Sequence, residues 1–124
     1  MRFVLEFHDS ELRDVVREGS VVRLRLAASA VRNEAGDRGW LASVTLELTA
    51  ATLHGDTTHA FGKITEADLR QDTRRLRDLD VPGRLTGDLE LALRLANGTQ
   101  FVTRGVALEA TVAHDGRFAE DLSC

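Results

Sequence analysis

Two alternating segments joined by Asn97-Gly98 constrain the fold of this chain more than any other feature. Before the turn, leucine recurs at positions 85, 89, 91, 93 and 95, with polar or small residues between. After it, apolar residues recur at positions 102, 106, 108, 110 and 112. A period of two is typical of a strand with one buried face. Asn-Gly is a strong signal for a two-residue hairpin, because a type I′ turn needs positive φ at both central residues.

The two-residue loop also predicts a register for this hairpin. It places Leu93 opposite Val102 and Arg104 opposite Leu91, with the apolar side chains on one face. Arg104 is then the exception on that face. A bulge near Gly105 would redirect the Arg104 side chain toward solvent.

Residues 21–31 and 40–50 alternate in the same way around the polar, glycine-containing loop 32–39. They predict a second hairpin. Trp40 occupies an inward-facing position in this alternation, so we expect it to pack in the core. The alternative is an aromatic anchor on a recognition surface, because such anchors concentrate binding energy.

The N-terminal region predicts a short strand from Phe3 to Phe7, followed by a turn at Asp9-Ser10. Residues 12–16 then predict a second strand, which forms a hairpin with the strand beginning near Val22.

Residues 65–80 fit two structures. Thr65 and the acids after it resemble a helix start, and Leu69, Leu76 and Leu79 form a thin helical stripe. This pattern predicts one short helix near residues 66–78. The alternative is a polar edge hairpin, because the rest of the chain is built of strands.

Strands at intervals of about 10–12 residues, without alternating helices, favour an antiparallel fold. The 124 residues suit one domain. We therefore expect a mainly β protein, with residues 1–124 forming a single-domain antiparallel β-sandwich or open barrel.

Composition argues against several functional classes. The chain has 16 basic and 20 acidic residues, and no basic stripe interleaved with aromatic residues. We therefore expect no nucleic-acid partner. No apolar run approaches the length of a membrane span, and acids occupy the opening where a signal peptide needs apolar residues. We expect a cytoplasmic protein with no membrane partner.

No catalytic constellation is visible in the sequence. Cys124 is the single cysteine, and no serine lies in a Gly-x-Ser-x-Gly motif. The glycines have no phosphate-loop spacing. His8, His54 and His114 could assemble a metal site from separate strands, whereas the favoured interpretation is surface or strand-end histidines. We expect no enzyme activity, no metal and no cofactor.

The run Phe7-His8-Asp9-Ser10-Glu11-Leu12, followed by an alternating strand from Val21, resembles the opening of certain small bacterial β domains. These domains begin Phe-His-Asp-Ser/Ala, and some are immunity proteins of polymorphic toxin systems. The Asn97-Gly98 hairpin fits the same layout. The resemblance implies a small β fold and, for some members, a toxin as partner.

These observations favour a protein-binding module that occludes a basic, toxin-like partner through charge-steered contact. The predicted contact residues are His8, Asp9, Glu11, Glu34, Asp37 and Trp40. One alternative is a small-molecule carrier, because β-barrels can hold a ligand in their mouth. Others are a domain of structural role and a metal-dependent hydrolase. An exposed strand at residues 12–16 could also pair edge to edge in a homodimer.

Overall fold

A computed structural model describes residues 2–113 and 118–120 of the chain. They form one small all-β domain, with no helix in these two ranges. The strands are β1 (Phe3–Glu18), β2 (Val21–Arg32), β3 (Arg38–Leu41), β4 (Val44–Thr49), β5 (Thr52–His54), β6 (Gly62–Gln71), β7 (Arg74–Leu76), β8 (Leu79–Val81), β9 (Gly83–Leu95), β10 (Gln100–Val112) and β11 (Phe118–Glu120).

Six of the strands form a closed antiparallel barrel in the order β1-β2-β4-β10-β9-β6, with β6 returning to β1. The closing contact is short, because β1 and β6 pair only as Glu11 with Lys63 and Leu12 with Gly62. The expected mainly β antiparallel fold is confirmed, and its sheet closes into a barrel.

Large aliphatic side chains fill the barrel, and each of those named here is less than 2% exposed. They come from all six barrel strands, as expected for a small barrel whose interior is closed by side chains. They include Leu12, Leu24, Leu46, Leu48, Ile64, Leu89, Leu91 and Leu108.

A second layer forms where β1 and β2 extend beyond the barrel. There the strand order is β11-β3-β2-β1-β8, and β8 also contacts β9 and β10. The rings of Phe3 and Phe118 stack at 5.3 Å between centroids. Leu79 and Val81 of β8 are buried, so this layer packs against β9 and β10 of the barrel through β8.

The hairpin predicted around loop 32–39 is present, with β2 pairing in one register with both β3 and β4. The set of alternate positions that faces the core changes at the break between β3 and β4, where Ser43 has a φ of 60°. Leu41 and Val44, three positions apart, both face the core. The predicted core position of Trp40 is therefore wrong, and its side chain lies on the outer surface.

The hairpin at Asn97-Gly98 is also present, but its predicted register is wrong by one residue. The Leu95 N–H donates to the carbonyl of Thr99 (2.9 Å), which makes the loop three residues long. Gly98, with a φ of 91°, supplies the left-handed residue that such a loop requires. Asn-Gly therefore serves a different turn from the one that the sequence predicted.

The register shift exchanges the two faces of β10 over its first half. Phe101 and Thr103 face the core, whereas Val106 is 57% exposed. Arg104 lies opposite Glu90 on the outer face, and its Nε donates to Glu90 Oε2 at 3.1 Å. The predicted irregularity near Gly105 is present, between Gly105 and Ala107.

Residues 66–78 form the β6–β7 hairpin, so the predicted short helix is wrong and the edge-hairpin alternative is observed. Asp72 and Thr73 have φ angles of 50° and 71° at its turn. Leu69 and Leu76, which suggested a helical stripe, are cross-strand partners. β6 also pairs with β9 along most of its length, and this tertiary context overrides the weak local preference for a helix.

The predicted turn at Asp9-Ser10 is wrong, because β1 continues through it as a large bulge. β1 advances from Glu6 to Glu11 while β2 advances only from Ala30 to Ala28. The buried hydroxyl of Ser10 bridges the resulting gap. It donates to the carbonyl of Glu6 (2.7 Å) and accepts the N–H of Ala30 (2.9 Å).

We expect Ser10→Ala to destabilise the protein by about 1–3 kcal/mol, because the buried N–H of Ala30 loses its partner. Urea denaturation measures the change. Ser20→Ala is the control, since Ser20 is an exposed turn residue and its substitution should shift stability by less than about 0.5 kcal/mol. Equal stability of the Ser10→Ala variant and the wild type would show that the bridge is dispensable.

Arg25 makes a bidentate ion pair with Asp14 on the outer face of β1 and β2, and this hydrogen bonding lowers the Asp14 pKa. A lowered carboxyl pKa adds stability that is present above the unfolded pKa and lost as the pH falls through the folded pKa. The stability difference between wild type and Asp14→Asn should therefore shrink on acidification. Urea denaturation at neutral and acid pH tests this, with Asp80→Asn as control; an unchanged difference would contradict it.

Candidate functional site

A shallow depression lies where the β1 bulge faces β3 and the start of β6. It is lined by Asp9, Glu11, Arg38, Trp40 and Lys63 and has a volume of about 380 Å³. The Trp40 side chain is 37% exposed in it. We call this feature the Trp40 depression. Three of the predicted site residues, Asp9, Glu11 and Trp40, therefore come together.

The bulge holds Asp9 in an unusual conformation among three cationic or titratable groups. Its φ is 93°, a region that residues with a Cβ rarely adopt. Its carboxylate lies 3.7 Å from Arg38 Nη2, 3.8 Å from Lys63 Nζ and 3.7 Å from His8 Nδ1. Strained backbone conformations cluster at functional sites, so the conformation of Asp9 supports a role for this surface.

A second set of ion pairs fixes Arg38 at the edge of the Trp40 depression. Arg38 Nη2 donates to Glu6 Oε2 at 2.8 Å, and Glu6 Oε1 lies 2.9 Å from Arg32 Nε. The Glu6 side chain is only 21% exposed, which reduces solvent screening of these pairs. Arg38 is thus held between two carboxylates, those of Glu6 and Asp9.

Glu34 and Asp37 lie in the loop between β2 and β3 rather than in the depression itself. Glu34 accepts the backbone N–H of Arg2 (3.1 Å), and Asp37 accepts a hydrogen bond from the Asn33 side chain (3.3 Å). Within residues 2–113 and 118–120, neither carboxylate has an ion-pair partner, and neither does that of Glu11. Among the described side chains, these three acids therefore have no cation to offset their charge.

Sequence reasoning missed Arg38 and Lys63. Lys63 is the only lysine in the chain, but rarity alone does not indicate a site. Its place beside Asp9 depends on the pairing of β6 with β1, which no local pattern encodes.

On the other side of the bulge, β1 and β6 separate and leave a V-shaped opening in the barrel wall. Two clefts meet there. The first, which we call the inner cleft, has a volume of about 740 Å³ and includes Leu5, Leu69 and Leu76. The second, the outer cleft, has a volume of about 700 Å³ and includes His54, Leu93 and Phe101. Both are lined by His8, Ala67 and Arg75. The predicted site residue His8, whose side chain is 73% exposed, thus belongs to these clefts rather than to the Trp40 depression.

The outer cleft brings together two of the three histidines considered as metal ligands, His8 and His54. His114 lies outside the described residues, as does Cys124. Within the part of the chain that the structure describes, no three side chains of His, Cys, Asp or Glu form a group that could hold a metal ion.

No protein-family model, curated protein or solved structure matches this chain. Among the described residues, no helix is long and apolar enough to span a membrane.

Two substitutions at Asp9 separate its conformation from its charge. Asp9→Gly and Asp9→Ala both remove the carboxylate, but only glycine adopts a φ near 93° without strain. We expect the glycine variant to be more stable by about 1 kcal/mol in urea denaturation.

The same pair of substitutions at Glu11 is the control. Glu11 pairs with both β2 and β6, so alanine should be the more stable replacement there. If Asp9→Ala proved more stable than Asp9→Gly, Asp9 would not be strained.

Proposed function

We propose that this protein is a cytoplasmic protein-binding module whose contact surface is the Trp40 depression together with the acidic β2–β3 loop. The observation that carries the proposal is that Trp40 is partly exposed and that charged side chains line the same depression. Tryptophan supplies a large apolar contact area at low cost in conformational entropy. A central aromatic residue within a polar rim is typical of binding hot spots.

The surface is fixed before any partner arrives. Asp9 is held by the bulge that Ser10 bridges, and Arg38 is held by Glu6. Trp40 lies on β3, which pairs with β2 on one side and β11 on the other. Preorganisation of this kind reduces the entropy lost on association.

Charge favours a basic partner. Asp9 is compensated by Arg38 and Lys63, whereas Glu11, Glu34 and Asp37 have no cationic partner among the described side chains. The formal net charge of −4 adds a long-range attraction for a basic protein. Such acids increase the association rate more than the final affinity.

The mechanism we propose is occlusion, in which this rigid surface covers a functional region of a basic protein. The resemblance of Phe7–Leu12 to the opening of certain immunity proteins supports a toxin as that protein. Binding alone would neutralise such a partner, so the proposal involves no catalytic step and no cofactor.

Affinity capture from a lysate of the native organism, at low and moderate salt, is the first test. A basic protein retained in stoichiometric amount at low salt and released as salt rises is the expected result. A retained protein whose binding is insensitive to salt would contradict charge steering.

Trp40→Ala should weaken binding of the captured partner by about 2 kcal/mol, roughly thirty-fold, as measured by calorimetry with both purified proteins. Val106→Ala is the matched control: Val106 is 57% exposed on β10, across the barrel from β1, and its truncation should leave affinity unchanged. Equal affinities of the Trp40→Ala and wild-type proteins would exclude the Trp40 depression as the contact surface.

A further inference from the structure

The inner cleft has an apolar wall that is continuous with the barrel core. Phe7 from β1, Ala67 from β6 and Leu76 from β7 are partly buried and pack against that core. Leu5 and Leu69 form the deepest part of the wall and are 1% and 3% exposed. The cleft exists because β1 and β6 stop pairing beyond Glu11 and Leu12.

Positive charge is in excess at the rim of the inner cleft. Arg32, Arg75 and Arg77 line it, together with the acids Glu6 and Asp78. Both acids are already paired with Arg32, and Glu6 with Arg38 as well.

Two arginines of the rim remain available to a ligand. Among the described side chains, the one ion-pair contact of Arg75 is long, 3.5 Å from its Nε to Asp68 Oδ1. Arg77 has no ion pair with any carboxylate in residues 2–113 and 118–120. Arg77 is exposed, and it follows Leu76 directly in the chain.

We propose that the inner cleft binds a small amphiphilic anion, a medium-length acyl chain that ends in a carboxylate. The acyl chain covers Phe7, Ala67 and Leu76, and the carboxylate pairs with Arg77 and Arg75. A guanidinium binds a carboxylate through two parallel hydrogen bonds, which favours this head group over an alcohol.

The dimensions and chemistry of the cleft suit such a ligand. Its volume of about 740 Å³ lies within the usual range of small-molecule sites. Its apolar wall can bury a chain, and the arginines at its charged rim can orient an anionic head group. The leucine-filled interior of the barrel leaves the ligand at the opening in the wall rather than at the barrel axis.

Calorimetry with dodecanoate tests this proposal, with dodecanol and butyrate as matched ligands. We expect one-to-one binding of dodecanoate, with dodecanol and butyrate each at least ten-fold weaker, because one lacks the charge and the other the chain. Equal affinity for dodecanol would overturn the role of the arginines. Equal affinity for butyrate would overturn the role of the apolar wall, and no binding of dodecanoate would overturn the site.

Arg77→Gln should weaken dodecanoate binding at least ten-fold. Arg84→Gln is the control, because Arg84 lies on β9 and pairs with Glu109, away from the cleft. The proposal fails if both substitutions have the same effect. Trp40→Ala should leave dodecanoate binding unchanged, since Trp40 does not line the inner cleft, so this proposal and the proposed function can fail separately.

Discussion

The two hydrogen bonds of the Ser10 hydroxyl hold together the point where β1 leaves the barrel. Backbone pairing between β1 and β2 stops at Glu6 and resumes at Glu11, and a side chain completes the ladder between them. A buried N–H without this acceptor would carry the full cost of desolvation. Because the gap is bridged, one strand serves both the barrel and the second layer. The Trp40 depression and the V-shaped opening lie on the two sides of this point.

The sequence predicted local structure well where one residue type repeats with a period of two. The leucines of β9 all face inward, and the hairpin of β2 is present.

The sequence predicted less well which face of a strand is buried and which residues of two strands lie opposite each other. Asn97-Gly98 suits loops of two or three residues, and the choice moves Val106 from the core to the surface. In β2, as across β3 and β4, the set of alternate positions that faces the core changes part-way along. Trp40 therefore faces outward although β2 keeps one register with both strands.

The site was only partly predictable for a related reason. The unusual run Phe7–Leu12 drew attention to the bulge, and three predicted residues do line one surface. Their cationic neighbours Arg38 and Lys63 come from β3 and β6, and long-range pairing alone places them there. Leu69 and Leu76, seven residues apart, fit a helical face and a cross-strand pair equally well. Only the presence of β9 as a partner distinguishes the two structures.

The short contact between β1 and β6 gives the barrel one weak seam among six. Every other pair of neighbouring barrel strands shares five or more paired positions, whereas this seam has two. The barrel is therefore a rolled sheet that a short pairing closes, and we expect β1 and β6 to separate before any other two neighbouring barrel strands. Amide protons near Lys63 will exchange with solvent before those at the centre of β10, although both belong to the same continuous sheet.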